Sequence, residues 1–343
     1  MSADLSTELV TYSNLALYSA MAVYTVAMLL FAFHLAALGP EKMDRSVAAS
    51  RPRKPALVGA AEGGGSDLDS DADLPAGDLP SGSGPDDEPE TSLRARKMAG
   101  MAIMVSWLGT LLVVSSVVMR GLAVMRPPWG NMFEFAVAGA AAVALAFCIL
   151  VRRNHWEWLG LFVIGPVLLT LGLALFAFYT EAAELVPALK SVWLVIHVTV
   201  AILAVGVLTI GFSVGIVYLV KKRREESPSD RRNFMETLPS AARLERTAYG
   251  LNMVGFILWT FTLIAGAIWA QKAWSSYWTW DPKEVWTFVI WVVYAAYMHA
   301  RATAGWEPRK AMTIALVGYV CVILNFTLVN LVFTGLHSYS GLK

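Results

Sequence analysis

Thirteen residues from Trp274 to Trp286 read WSSYWTWDPKEVW, and we call this segment the aromatic turn. Its rings offer a flat apolar surface that suits a large planar ligand better than an ion or a sugar phosphate. A tryptophan belt at a membrane interface is the alternative, but a belt would scatter its rings over many helix ends. The candidate ligand-contacting rings are those of Trp274, Tyr277, Trp278, Trp280 and Trp286.

Two histidines stand on either side of the aromatic turn in the chain. His197 follows Trp193 by one helical turn near the start of an apolar run, and His337 follows the last apolar run, in TGLHSYSG. Two imidazoles and an aromatic wall at one membrane surface are what a bis-histidine haem site requires. The alternative is two interfacial histidines that never meet, and the spacing leaves both interpretations open.

A third histidine, His299, lies on the apolar run that follows the aromatic turn. It is 18 residues beyond Asp281, which is roughly 27 Å along a helix and therefore near the opposite membrane surface. An ionisable residue inside a span is a functional candidate by default. Small neighbours leave space beside this imidazole for a cofactor or a close helix: Ala295, Ala296, Ala302 and Thr303. One helix connecting two such sites suggests transit of a ligand across the membrane.

Helix-start signals give some of these residues a structural interpretation as well. The run DPKE places Asp281 at an N-cap, Pro282 at the first helical position and Glu284 at the third. In PPWGNMFEF, Asn131 and Glu134 have the spacing of a second capping pair. We therefore expect helices to begin at these two points.

The composition indicates a polytopic membrane protein, because 57% of the 343 residues are hydrophobic and only 15% are charged. The net charge of +1 gives no indication of a nucleic-acid partner. Cys148 and Cys321 lie in apolar runs without a CxxC motif, which argues against a thiol redox enzyme or a disulfide framework.

The fold class we predict is all-α, with about eight transmembrane helices, since unpaired backbone groups are not tolerated in lipid. The predicted spans are 13–38, 99–125, 132–151, 158–179, 193–220, 249–270, 285–303 and 311–335. With both termini outside, all but six of the 27 lysines and arginines fall on the inner side. The six exceptions are Arg120, Arg126, Lys190, Lys272, Lys283 and Lys343. The positive-inside rule thus places both termini and the aromatic turn outside.

Three regions follow from this pattern. Residues 1–39 contain the first transmembrane helix, and residues 98–343 form a seven-helix membrane domain. Residues 40–97 are rich in Gly, Ser, Pro and Asp and bury too little apolar surface to fold. We predict that they form a disordered cytoplasmic linker.

The aromatic turn resembles the tryptophan-rich WWD segment of the haem-handling proteins of c-type cytochrome biogenesis. The surrounding chain is most similar to the CcsA/ResC branch, System II, including the actinobacterial CcsB proteins. The likeness covers about 99–343 and, more loosely, the first span, and PPWGNMFEF resembles another outer segment of the family. Ser275 departs from the glycine common after the first tryptophan, although it is also small.

The resemblance implies a set of haem ligands and a reaction. His197 and His337 would hold haem at the outer face against the WWD segment, and His299 would hold it near the cytoplasmic side. The second inner ligand would come from a ResB-like subunit, with His34 as an alternative. Asp281 would orient the aromatic turn or accept a hydrogen bond near the haem, besides capping. Arg120 is a candidate partner for a haem propionate, with snorkelling to the membrane surface as the alternative. The haem, b-type and transient, would then be joined to the cysteine thiols of apocytochrome c.

The same resemblance implies a bacterial plasma-membrane location and further partners: the ResB-like subunit, apocytochrome c and a thioredoxin-like thiol reductant. The chain would then be the core subunit of a cytochrome c haem lyase or synthetase. Two other functions fit the same residues: a haem exporter without ligation activity, like CcmC, and a bis-histidine b-type electron carrier. A haem-free scaffold would leave the aromatic turn and the histidines unexplained.

Overall fold

The computed structural model describes residues 3–49, 93–182, 190–226, 235 and 238–337, and within these ranges all regular structure is helical. A short 3-10 turn at Glu157–Leu159 leads into α4. The α-helices are α1 (Ala3–Ala49), α2 (Leu93–Ala123), α3 (Met132–Leu150), α4 (Gly160–Ala177), α5 (Val192–Glu226), α6 (Ala241–Trp274), α7 (Pro282–Ala302), α8 (Pro308–Phe326) and α9 (Leu328–Val332). The predicted all-α fold class is confirmed.

Seven of the helical segments in the described chain are long and apolar enough to cross a membrane, which makes this a multi-pass membrane protein. The predicted span at 285–303, the seventh in chain order, corresponds to α7, which has 21 residues but is not among those found. The reason is visible in its sequence, PKEVWTFVIWVVYAAYMHARA, where three charged residues and many amphipathic rings lower the hydropathy. Whether α7 crosses the membrane stays a prediction.

Two boundaries differ from the sequence-based prediction. Residues 40–49 and 93–97, assigned to the linker, continue α1 and begin α2, while 50–92 lie outside the described residues. The last predicted span is interrupted at Thr327, between α8 and α9, and its helix ends at Val332. Propensity and hydropathy alone do not mark either point.

The two longest helix pairs, α1 with α2 and α5 with α6, pack along each other. Between α5 and α6 the approach depends on glycine, because a Cβ at Gly211 would lie 2.8 Å from Asn252 Oδ1 and one at Gly255 would lie 2.7 Å from Leu208 Cγ. Small residues of this kind let membrane helices pack closely. The close pairing places the start of α5 beside the last turns of α6.

The helix starts predicted from sequence are confirmed. Asp281 and Glu284 form a capping box at the start of α7 with Pro282 in the first turn. Asn131 caps α3 by accepting a hydrogen bond from the Glu134 backbone N–H at 2.8 Å. Both starts lie at the same end of the helix bundle, which we call the aromatic end because the aromatic turn is there.

Candidate functional site

His197 is held on the second turn of α5 by the neighbouring helix α6. Its Nδ1 lies 2.9 Å from the Thr262 carbonyl oxygen, so Nδ1–H donates and Nε2 is left with its lone pair. The approach is tight, since a Cβ at Gly266 would lie 2.7 Å from His197 Cε1. A glycine is therefore required on α6 for this ring to lie where it does.

His337 is held by the residue that starts α7. Its Nδ1 lies 2.9 Å from Asp281 Oδ1, and the backbone N–H of Leu336 donates to Asp281 Oδ2 at 2.6 Å. A Cβ at Gly335 would overlap Asp281 Oδ2, so this turn also needs a glycine. The carboxylate thus orients both the imidazole and the backbone that carries it.

Burial would raise the pKa of the Asp281 carboxyl, but its hydrogen bonds act in the opposite direction and prevail. The bonds from His337 and from the backbone N–H groups of Lys283 and Leu336 hold this pKa below its usual range. Asp281 is therefore an anion at neutral pH, and it favours the His337 tautomer that carries its proton on Nδ1.

Both imidazoles contact one indole, that of Trp269. The His197 ring is stacked on it, with centroids 6.1 Å apart and an interplanar angle of 14°. The His337 ring meets it edge-on at 5.7 Å and also meets Trp274 at 4.8 Å. The two histidines predicted to share a site are therefore brought to one aromatic cluster.

A cavity of about 600 Å³ opens beside these rings, within the usual range for ligand sites. It extends from the aromatic end to Ser213, sixteen residues after His197 on α5, which is roughly 24 Å along a helix. Most of its wall is apolar, and the charged side chains in the described lining are Lys283 and Glu284. The aromatic residues and histidines of the wall are Trp129, Phe135, Phe178, His197, Phe212, Trp259, Trp269, Tyr277, Trp278, Tyr319, Phe326 and His337.

The tryptophans of the aromatic turn have different environments. As far as the chain is described, the cavity wall includes Trp278 but not Trp274, Trp280 or Trp286. Trp274 packs behind His337, and Trp280 is 75% exposed on a left-handed backbone with φ of 61°. The Trp278 and Trp280 rings are nearly perpendicular, at 89°. The rings therefore do not form one flat surface, and the wall is completed by indoles from other segments.

The PPWGNMFEF segment forms part of the cavity rim at Trp129, Gly130 and Asn131. Below this rim the buried Glu134 carboxylate pairs with Arg120 at 3.1 Å and with Arg126 at 2.7 Å. Arg120 also donates to the Thr180 carbonyl and lies over the Phe133 ring. Snorkelling to the membrane surface, the alternative considered for Arg120, is wrong because its side chain is only 4% exposed.

The remaining candidate histidines lie elsewhere. His299 is exposed on α7, and Ala296, Ala302 and Thr303 beside it are exposed too. His34 is buried on α1, where its Nδ1 lies 2.9 Å from the Ala95 carbonyl oxygen. α1 packs mainly on α2 and α4, whereas α7 packs mainly on α8 and α6, so the fold does not pair these two histidines through neighbouring helices.

Haem fits the residues at the aromatic end on three structural grounds. Each of two imidazoles has Nδ1 engaged by an oxygen, which is the arrangement that orients a metal-ligating histidine through its other nitrogen. Glycines 266 and 335 leave space that a Cβ would fill. The adjoining cavity is apolar and aromatic, as a porphyrin requires.

Sequence reasoning missed several residues of this site. Trp269 and Trp259 occur inside α6, where a tryptophan is indistinguishable from an ordinary core residue. Thr262 contributes through its backbone carbonyl, for which the side chain gives no signal. Lys283 was assigned only as an outer positive charge, although its place in the DPKE run, two residues after Asp281, was the available clue.

Fold and site together define a multi-pass helical membrane protein whose aromatic end carries two oriented imidazoles beside an apolar cavity. The chain belongs to the cytochrome C assembly protein family, whose model matches residues 129–337. This match begins at the cavity rim and ends at His337. The confirmed family is thus the one that the aromatic turn indicated.

Three relatives named cytochrome c biogenesis protein CcsA show the extent of the similarity. The protein of Parasynechococcus marenigrum is 32% identical over 72% of this chain and 89% of its own length. That of Guillardia theta is 37% identical over 63% of this chain and 77% of its own. That of Chlamydomonas reinhardtii is 36% identical over 62% of this chain, which spans 60% of the relative's length.

Proposed function

We propose that this protein acts in cytochrome c biogenesis by holding haem between His197 and His337 at the outer face of the membrane. The observation that carries the proposal is the matching hydrogen-bonding pattern of the two rings. Each donates from Nδ1 to a fixed oxygen, and both lie against Trp269 beside one apolar cavity. This leaves two Nε2 atoms as ligands for one iron.

Bound haem would supply two vinyl groups for thioether formation with the cysteines of an apocytochrome. Each thiol S–H adds across a vinyl double bond, so the addition needs no net electron transfer. The residues of this chain contribute mainly orientation and exclusion of water, because fixed near-attack geometry lowers the barrier strongly. We assign no catalytic acid or base, and the core role in a haem lyase or synthetase is part of the proposal.

The topology belongs to the same proposal. α7 also crosses the membrane, which brings the number of spans to eight. Both termini and the aromatic turn face outward, and the inner side faces the cytoplasm of a bacterial cell. His299 then lies near the inner surface, where it receives haem before transfer to the outer site. Its exposure on the bundle surface favours a second inner ligand from a ResB-like subunit over one from His34, which is bonded to Ala95.

Partners follow from the chemistry. The apocytochrome presents its two cysteines in the reduced form, and a thioredoxin-like protein supplies the reducing equivalents. Cys148 and Cys321 are free thiols within α3 and α8, so they are not placed to do this at the aromatic end. The linker predicted at 40–97 falls largely on residues 50–92, which lie outside the described structure.

The test is the absorption spectrum of the purified protein, co-expressed with its ResB-like partner, in wild type and in His197→Ala and His337→Ala. Low-spin haem in wild type, lost or altered in each variant and restored by imidazole, is the expected result. His155→Asn, in the turn between α3 and α4, is the control, since asparagine tolerates its φ of 53°. A wild type without haem, or variants with unchanged spectra, would refute the site.

A second measurement distinguishes thioether formation from the two alternative functions. A synthetase variant that lacks His337 should lose mature cytochrome c while other haem proteins remain normal. An exporter without ligation activity would deliver haem to a separate carrier, and thioether-linked product would not form with the purified components. An electron carrier should lose redox activity when His299 is changed. It also needs a second inner ligand, and His34 is on α1, which is not one of the main packing partners of α7.

A further inference from the structure

Lys283 is a cationic side chain in the wall of the cavity, and its hydrogen-bonding partners carry no charge. Its Nζ donates to Asn330 Oδ1 at 2.7 Å and to the Asn325 carbonyl oxygen at 3.2 Å. An ammonium has three N–H donors, so one donor remains beyond these two bonds. The side chain is part of the cavity lining, together with Asn325 and Asn330.

The carboxylates closest in sequence are engaged by other donors. Asp281 accepts from His337, from the Leu336 backbone and from the Lys283 backbone N–H, all of which hold the start of α7 and the His337 turn. Glu284 accepts from Thr279 and from the Asp281 backbone as part of the capping box. In the described structure neither carboxylate forms a direct ion pair with the Lys283 ammonium, although the charge of Asp281 acts on it through space.

The surroundings of Lys283 are arranged to hold the ammonium in place. The Asn330 amide donates to the Phe326 carbonyl at 2.7 Å, which turns its Oδ1 towards Lys283. The Asn325 carbonyl lies next to the interruption between α8 and α9. Asn325 Oδ1 is itself buried without a hydrogen-bonding partner in the described chain. An ammonium with neutral partners in an apolar cavity is costly: it either loses its proton or gains an opposite charge from a ligand.

We propose that Lys283 forms a carboxylate subsite of the cavity, which binds a propionate of the haem held by His197 and His337. The inference rests on the proposed function and adds a recognition element to it. Arg120, the propionate partner considered from sequence, is already paired with Glu134 and is not part of the described cavity lining. The subsite would fix the rotation of the porphyrin about the axis between the two imidazoles.

The experiment compares two probes that differ only in their carboxylates: iron protoporphyrin IX and its dimethyl ester. Each is titrated into the purified protein and followed by absorbance, in wild type and in Lys283→Gln. Wild type should bind the free acid more tightly, and the substitution should reduce that preference roughly tenfold to a hundredfold while ester affinity is kept. The ratio of free-acid affinity to ester affinity is compared between wild type and Lys283→Gln. This comparison cancels the different partitioning of the two probes into detergent.

Two further variants make the result specific. Lys272→Gln removes an exposed lysine from the last turn of α6, and the preference should be unchanged. Asn330→Asp keeps the shape of the side chain but gives Lys283 an internal counter-ion, so the preference should fall although the lysine is present. If Lys283→Gln does not fold, Asn330→Asp decides the question.

The outcomes distinguish the subsite from the proposed function. Equal binding of both probes by wild type, with low-spin spectra that depend on His197, would overturn the subsite and leave the haem site standing. Equal weakening of both probes by Lys283→Gln would show that the lysine only stabilises the end of α8, which also overturns it. Binding of neither probe by wild type would refute the proposed function and the subsite with it.

Discussion

Asp281→Asn is the substitution that best separates the two roles of the aromatic turn, helix capping and orientation of His337. The carboxylate accepts three hydrogen bonds, two at Oδ1 and one at Oδ2. An asparagine has one acceptor oxygen and one amide group. If its oxygen keeps the bonds to His337 and Lys283, its amide faces the Leu336 N–H. If its oxygen accepts from Leu336, His337 has to accept at Nδ1 and carry its proton on Nε2, which removes the iron ligand.

The magnitude follows from these bonds. Asp281 is only 7% exposed, so solvent does not replace the lost interaction. Loss of a hydrogen bond to a charged group costs about 1.5–3 kcal/mol, and loss of the partner that orients a metal-ligating histidine lowers affinity roughly tenfold to a hundredfold. We therefore expect Asp281→Asn to bind haem about 10- to 100-fold more weakly at this site, with partial recovery in imidazole.

The assay is transfer of haem from the purified protein to apomyoglobin, followed by absorbance. Glu284→Gln is the matched control, because it alters the other half of the capping box without touching His337. Equal haem loss from both variants would mean that Asp281 acts only through the helix start. Unchanged haem affinity in Asp281→Asn would refute the orienting role outright.

The pH dependence provides an independent check on the same carboxylate. Its pKa is lower in the folded protein than in the unfolded chain, so its contribution to stability is complete above the unfolded value and is lost as pH falls through the folded one. The difference in thermal stability between wild type and Asp281→Asn should be constant near neutral pH and should shrink below about pH 4. A difference that instead disappears between pH 6 and 8 would contradict this assignment.

Two more substitutions test the supports around the site. Gly266→Ala should displace His197 and weaken haem binding, whereas Gly250→Ala, whose Cβ would meet nothing within 4 Å, should not, as haem retention in the two purified variants would show. Glu134→Gln removes the carboxylate shared by two arginines, including the buried Arg120, and should lower stability by about 3–5 kcal/mol, measured by thermal unfolding in detergent.

The features that the sequence predicted well are those that depend on a few neighbouring residues. The capping box at Asp281 and the cap at Asn131 were predicted because N-cap chemistry depends on a few neighbouring residues. The helical class followed from long apolar runs, since lipid leaves the backbone few alternatives. α7 was placed within a few residues of its observed range, although its rings make it less apolar than the other long helices.

Contacts between distant segments were harder to predict. His197 and His337 were selected as a pair, but nothing in the sequence showed that both imidazoles would contact Trp269. The flat surface expected of the aromatic turn was inferred from ring number alone, and ring orientation depends on φ values such as the left-handed backbone at Trp280. The helix interruption at Thr327 has no glycine or proline to mark it.

The DPKE run shows why a capping motif can also serve a ligand site. Pro282 and Glu284 fix where α7 begins, and that fixed start determines where the side chains of Asp281 and Lys283 are placed. Asp281 is thereby held against His337, and Lys283 reaches the end of α8 and the cavity. The two residues of the proposed site alternate with Pro282 and Glu284, so a shift of one residue in the helix start would move both Asp281 and Lys283. On the proposed function, this coupling accounts for the presence of a helix-start signal and a ligand-binding motif in the same four residues.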